Sequence, residues 1–333
     1  MKKRTTLADI AKAANVSMMT VSQAINNKPG VTNQTRKHIL DLIKEMEYQP
    51  NAIARSLVTN KTKTIGLVVP DITNPFFAQI ARGVEDAAYE HEYTILLINT
   101  NEELEREMNA LDSLWQKDID GIILCSSRLP ELKLSAQIQR FPATVLLNRE
   151  VLEPLPNLVS INVNDQRGVQ RAIQHFVEIG RKNIAFLGGP NTSFSSQRRF
   201  VGYQTALKTA QIAYDENLVV FNQPNTEGGY KSTSALLSKK STIDAIFAFN
   251  DLMAIGAIQA CQQAGHRVPE DIAIIGVDDI PLSSIFHPRL TTLHVNLQQT
   301  GRLATRTLLD IIGNEALPAT YQIEFELITR ESA

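Results

Sequence analysis

The chain has 333 residues, 43% of them hydrophobic, with 33 Lys or Arg against 35 Asp or Glu for a net charge of −2. No apolar run reaches the ~18–20 residues of a membrane span, and the opening MKKRTTLADI carries no apolar h-region, so neither a membrane helix nor a signal peptide is expected. Cys125 and Cys261 lack paired-motif spacing and the six histidines are scattered, which argues for a reduced, cytoplasmic chain without a disulfide framework or metal site.

The charge is unevenly placed. Residues 1–63 hold 11 Lys or Arg and 4 Asp or Glu, net +7, so the remainder carries −9. A basic head on an acidic body is the electrostatic footprint of a nucleic-acid-binding domain joined to a second module.

The head begins with TLADIAKAANVSMMTVSQAIN. Thr6 can cap a first helix with Asp9 completing the box, and Leu7, Ile10, Ala11 and Ala14 repeat at helical spacing. Asn15 suits a tight turn, Val16 plugs the angle, and Ser17 caps a second helix whose Val21, Ala24 and Ile25 face the same core. Met18, Met19, Thr20, Ser22, Gln23 and Asn26 are left on the outer face. That is a helix-turn-helix with adaptable side chains at the start of its second helix, where base edges are read. A third helix, capped by Thr32, is expected from about Asn33 to Met46. After Pro50, NAIARSL could form a two-turn helix, too short to persist in water without a partner.

From Lys61 onward short apolar runs alternate with amphipathic ones. TIGLVVP, YTILLIN, DGIILCS, ATVLLN, LVSIN, NIAFLGG, DAIFAFN and DIAIIGV read as strands, mostly followed by helical patterns, hence βαβ units and parallel sheets. The length favours two subdomains, with a break near 162–164. In open parallel sheets ligands sit beyond the carboxyl ends of strands. Those positions hold Asp71 and Asn74, Asn148 and Arg149, Asn250 and Asp251, and Asp278 and Asp279, with Phe76 and Phe77 close by. Amides, carboxylates and an Arg suit hydroxyl groups, and an aromatic face suits a sugar ring, although any one of these residues could equally be a helix cap. GGPNTS matches neither a phosphate loop nor a dinucleotide fingerprint, and no G-x-S-x-G elbow occurs, so an enzyme is not expected.

The ordered set TLADIAKAANVSMMTVSQAIN, YQPNAIARSL, TIGLVVPDITNPFFAQIARGVEDAA, GYQTAL, FNDLMAIGA and PEDIAIIGVDDIP…HPRLTTL resembles the lactose/galactose repressor family over residues 5–331. The resemblance implies a repressor acting as a homodimer on a palindromic operator and answering a small-molecule effector, without a cofactor. It implies an α/β architecture: a helix-turn-helix domain at 1–49, a hinge helix and linker at 50–61, and a core at 62–333 of two doubly wound parallel-sheet subdomains. In the core, 294–322 would return to the first subdomain, 62–162, while 323–333 would join the second, 163–293. It extends the DNA-contacting set to Leu7, Ser17, Thr35, Tyr48, Asn51, Ala54 and Leu57, the last as a wedge in the operator. NPFF resembles a sugar-holding segment, Asn148–Arg149 resembles the Asp–Arg pair of ribose-type sites, and Ser195, Arg199, Asn250 and Asp278 match ligand positions.

Three departures follow from the resemblance. Gln23 stands where many members carry Arg, which exchanges a preference for guanine for one for adenine. Val295 replaces a Gln of several sugar binders, and NQPNTEGGY lacks a usual aromatic. Alternatives to a sugar effector are therefore a purine or nucleoside, or a phosphorylated protein partner. A transport receptor, the other use of such a body, does not account for the basic head. No heptad tail follows ELITRESA, so a C-terminal coiled coil is not expected.

Overall fold

The computed structural model describes residues 5–48, 61–239 and 242–333, and its contacts divide the chain into two units, 1–62 and 63–333. The expected hinge helix, with Asn51, Ala54 and Leu57, lies outside the described residues.

In the first unit three helices follow from local capping. Helix α1 (Leu7–Ala13) starts at a capping box in which the Thr6 N–H donates to Asp9 (2.9 Å) and the Asp9 N–H to the Thr6 hydroxyl (3.3 Å). Asn15 turns the chain at φ +54°, and Ser17 caps α2 (Met18–Ile25). Thr32 caps α3 (Asn33–Glu45). Ile10, Ala11, Ala14, Val21, Ala24 and Ile39 form the buried centre. Arg36 of α3 donates to the carbonyls of Ala24 (3.2 Å) and Lys28 (2.7 Å), so its charge satisfies the orphaned C-terminus of α2.

The second unit holds two six-stranded sheets. The first lobe contains β1 (Thr64–Val69), α4 (Pro75–Glu90), β2 (Thr94–Asn99), α5 (Leu104–Gln116), β3 (Gly121–Cys125), α6 (Glu131–Ile138), β4 (Thr144–Leu147) and β5 (Leu158–Val163). The second contains α7 (Asp165–Glu178), β6 (Ile184–Gly188), α8 (Phe194–Thr209), β7 (Val219–Phe221), α9 (Thr226–Ser238), β8 (Ala245–Ala248), α10 (Asp251–Gln263), β9 (Ala273–Asp278) and β10 (Thr291–His294). The chain then returns to the first lobe with α11 (Leu297–Ile312) and β11 (Thr320–Ile323), and crosses again to β12 (Glu326–Ile328). Sheet orders are β11-β5-β4-β3-β1-β2 and β12-β10-β9-β8-β6-β7, every pair parallel except β10 with β12.

The eight apolar runs form eight strands, and the structure adds β7, β10, β11 and β12. Three of these are edge strands, and all four are only three or four residues long, so pairing with a neighbour defines them rather than their own pattern. Helix α11 lies against α4 at very close range. A Cβ added to Gly83 would stand 2.0 Å from the Gln298 carbonyl oxygen, so only glycine allows the approach. Among the described residues no helix is long and apolar enough to cross a membrane, and no His, Cys, Asp and Glu group could hold a metal ion.

Candidate functional site

The carboxyl ends of the two sheets meet across a cleft. From the first lobe, Asn74, Phe76 and Phe77 follow β1, Glu102 follows β2, Ser126 and Arg128 follow β3, and Asn148 follows β4. From the second, Ser193, Ser195 and Arg199 follow β6, Pro224 follows β7, and Phe249 and Asn250 follow β8. Asp278 ends β9.

Asn74 and Asn250 serve both readings of their type. Asn74 caps α4 by accepting from Phe76 N (3.0 Å), and Asn250 caps α10 by accepting from Met253 N (2.9 Å) while its amide donates to the Pro224 carbonyl (2.9 Å). Both also line the cleft. Phe76 and Phe77 meet edge to face at 4.9 Å and present an aromatic corner.

Arg199 is 5% exposed and held on three sides. Its Nε lies 2.8 Å from Asp165 Oδ1, one terminal nitrogen donates to the Phe249 carbonyl, and the guanidinium packs 4.6 Å from the centre of the Phe249 ring. Its Nη2 has no hydrogen-bond partner among the described residues. Asp278 is also 5% exposed, and burial pushes its carboxyl well above the usual range. Arg199 opposes that shift, while Asp251 and Asp165 add to it. Its backbone sits at φ +112°, a conformation that costs a non-glycine residue on the order of 1–3 kcal/mol. Asp251 holds the following loop, accepting from Ile280 N (2.9 Å) and from the hydroxyls of Ser283 (2.6 Å) and Thr292 (2.6 Å).

Two of the expected residues do not line the cleft in this structure. Asp71 is not among the cleft-lining residues. Its carboxylate accepts from Thr73 N (2.9 Å) and Thr73 Oγ1 (2.7 Å) in a local turn. Arg149 is absent from the lining as well. It is 2% exposed, pairs with Glu131 (3.0 Å) and lies 3.5 Å over the Phe194 ring of the opposite lobe. Beside it, Arg198 bridges the lobes, with Nε on Asp165 (3.0 Å) and Nη2 on the Asn148 carbonyl (3.3 Å). The Asn148–Arg149 pair is therefore split, one residue facing the cleft and one joining the lobes.

In the head, Met18 and Met19 are 55% and 71% exposed, which folding does not explain. Thr20, Ser22 and Gln23 are half-buried beside them, and Asn26 is exposed with its amide on the Ser22 carbonyl (2.8 Å). Ser17 is committed to its cap, and Thr35 shares a hydrogen bond with the Thr32 hydroxyl (2.9 Å). Leu7 and Tyr48 pack half-buried against the helical core, so much of their surface is taken by folding.

The family model for "Bacterial regulatory proteins, lacI family" matches residues 6–51, and that for "Periplasmic binding proteins and sugar binding domain of LacI family" matches 62–331. The chain belongs to the LacI family. It is a transcriptional regulator with a DNA-binding head, not an enzyme. It is 38% identical to the ribose operon repressor of Halalkalibacterium halodurans, over 98% of this chain and 97% of that one. It is 34% identical to the transcriptional repressor PurR of Aliivibrio salmonicida, over 98% of each. A solved structure of the Lac repressor dimer bound to operator and the anti-inducer ONPF superimposes with a TM-score of 0.91, at 26% identity and 99% coverage of both chains.

Proposed function

We propose that this LacI-family chain is a cytoplasmic repressor that binds a pseudo-palindromic operator as a homodimer and releases or tightens its grip when a small sugar-like effector enters the cleft. The observation that carries the effector reading is the convergence of Arg199, Asp278, Asn148 and Asn250 with the Phe76–Phe77 corner. A fork of donors and a carboxyl fix the geometry of neighbouring hydroxyls, and an apolar ring face suits the aromatics. A ligand touching both lobes favours the closed form, and that difference in affinity lets it bias the lobe arrangement. No cofactor enters this mechanism.

The test is a thermal-shift screen of pentoses, hexoses and nucleosides, with D-ribose first because of the ribose operon relative. A ligand at a hundred times its dissociation constant adds about 2.7 kcal/mol of stability. A purine or nucleoside responding in place of every sugar would move the effector class toward that of the PurR relatives.

For the head, a binding-site selection should return a two-fold symmetric sequence, with affinity falling steeply as salt rises. The exposed Met18 and Met19 suit thymine methyls, and Thr20, Ser22, Gln23 and Asn26 supply the polar contacts. Gln23→Arg is expected to shift preference from adenine toward guanine at one symmetric pair of positions, by about 1–3 kcal/mol. An unchanged base preference would assign Gln23 to phosphate or solvent.

A further inference from the structure

The first-lobe wall of the cleft carries an ion pair built from two consecutive turns. The chain leaves β2 through Asn101 and Glu102, both left-handed at φ +56° and +59°, and leaves β3 through Ser126 at φ +48°. These turns bring Glu102 and Arg128 together. Arg128 Nε lies 2.7 Å from Glu102 Oε2, and its Nη1 donates to the Ser126 carbonyl (2.9 Å). The side chains are only 7% (Arg128) and 22% (Glu102) exposed, and both line the cleft. The base of the loop is fixed from beneath by the buried Glu107, which accepts from Arg128 N (3.0 Å) and from the Ser127 hydroxyl. Arg128 Nη2 and Glu102 Oε1 have no hydrogen-bond partner among the described residues, so the pair offers one donor and one acceptor at a fixed spacing.

The charges of the cleft are therefore closed. Each arginine that lines it already has a carboxylate, Arg128 with Glu102 at 2.7 Å and Arg199 with Asp165 at 2.8 Å, and Asp278 adds a further carboxyl. A hydroxyl pair can accept from Arg128 and donate to Glu102 without disturbing their ion pair. A phosphate or carboxylate group can also accept from Arg128 Nη2, but it has no proton to donate to Glu102 Oε1, so its anionic oxygens would face that carboxylate beside a guanidinium whose charge is already paired.

We propose that Glu102 and Arg128 are specificity-determining residues that select a neutral polyhydroxylated effector and reject its phosphorylated or acidic counterpart. This rests on the reading of the cleft as the effector site.

The test uses the full chain and three matched pairs: D-ribose with ribose 5-phosphate, D-glucose with glucose 6-phosphate, and adenosine with adenosine monophosphate. Wild type is expected to be stabilised by a neutral member and by none of the esters. Glu102→Gln, which frees the Arg128 charge, is expected to gain a response to the ester of the responsive pair. Arg128→Met is expected to weaken the neutral ligand on the order of ten- to a hundredfold, and Arg128→Lys to recover only part of that loss, because a point charge lacks the fork. Melting of each variant without ligand checks its fold. An ester binding wild type as well as its neutral partner overturns the proposal and leaves the cleft as the site. So does Glu102→Gln gaining nothing while Arg128→Met binds normally. If no compound of any pair shifts wild type, the effector reading of the cleft falls, and this proposal with it.

Discussion

Replacing Arg199 with methionine is expected to abolish the effector-induced rise in melting temperature and to lower the melting temperature of the unliganded chain. Both effects follow from one geometry. The guanidinium holds Asp165 and the Phe249 carbonyl, and its remaining nitrogen is the second lobe's strongest donor at the cleft. Breaking one side of a buried ion pair costs about 3–5 kcal/mol. The lower end applies here because Asp165 keeps Arg198 at 3.0 Å. A fall in stability alone would not prove ligand contact, so the decisive variant is Asp278→Asn. Asparagine preserves the size and tolerates the left-handed side of the backbone map better than most residues, which suits φ +112°. Removing a carboxyl that burial already disfavours as an anion should leave unliganded stability unchanged or raised. Its effector response should nevertheless be lost, because one of the two carboxyl oxygens that can meet effector hydroxyls becomes an NH₂ group that only donates. An Asp278→Asn chain that responds to effector as wild type does would place sensing outside this cleft.

The parts of the site legible in the sequence are those set by local chemistry. Thr6, Ser17 and Thr32 announce the three head helices because a capping side chain and its acceptor geometry lie within three residues. Asn74, Asn148, Asn250 and Asp278 are legible because each lies at or within five residues of the end of an apolar strand. Ser126, Arg128 and Ser193 also follow apolar strands, and the strand-end rule reaches them equally well. Glu102 lies as close to the end of β2 as Arg128 does to that of β3, whereas Pro224 follows a strand of only three residues, so the signal there is weaker. What sequence does not carry is the direction of a side chain after a strand. Asn148 turns at φ +58°, which leaves it on the cleft and sends the next residue, Arg149, toward Phe194. Asp71 is likewise turned into its own loop by a hydrogen bond two residues long.

Asp251 should give the core a pH dependence whose sign is unusual for a carboxylate. The side chain is fully buried, and burial pushes its carboxyl up to about 7, against the opposing pull of the Ser283 and Thr292 hydroxyls and the Ile280 N–H, with Asp279 adding to the rise. An unfolded aspartate titrates near 3.9. Between those values the folded chain holds a proton that the unfolded chain has released. Stability from this group is therefore fully present below about pH 4 and is lost as pH rises through about 7, at up to ~1.4 kcal/mol per pH unit and ~4 kcal/mol in all. Asp278 acts in the same direction, its carboxyl also raised by burial. Carboxylates shifted downward, such as Asp271 beside Arg267, act in the opposite direction but are solvent-exposed and screened. Asp251→Asn should flatten the fall in stability between pH 5 and 8, measured by urea unfolding of the core transition. The amide can accept from Ile280 N through Oδ1 while its NH₂ donates to a neighbouring hydroxyl, so the loop after Asp278 keeps its anchor. Asp251→Ala leaves the buried Ile280 N–H without that acceptor, and should lose about 1–3 kcal/mol at every pH together with effector affinity, because the loop it releases directly follows Asp278. Parallel pH profiles for wild type and Asp251→Asn would show that Asp251 titrates in its ordinary range.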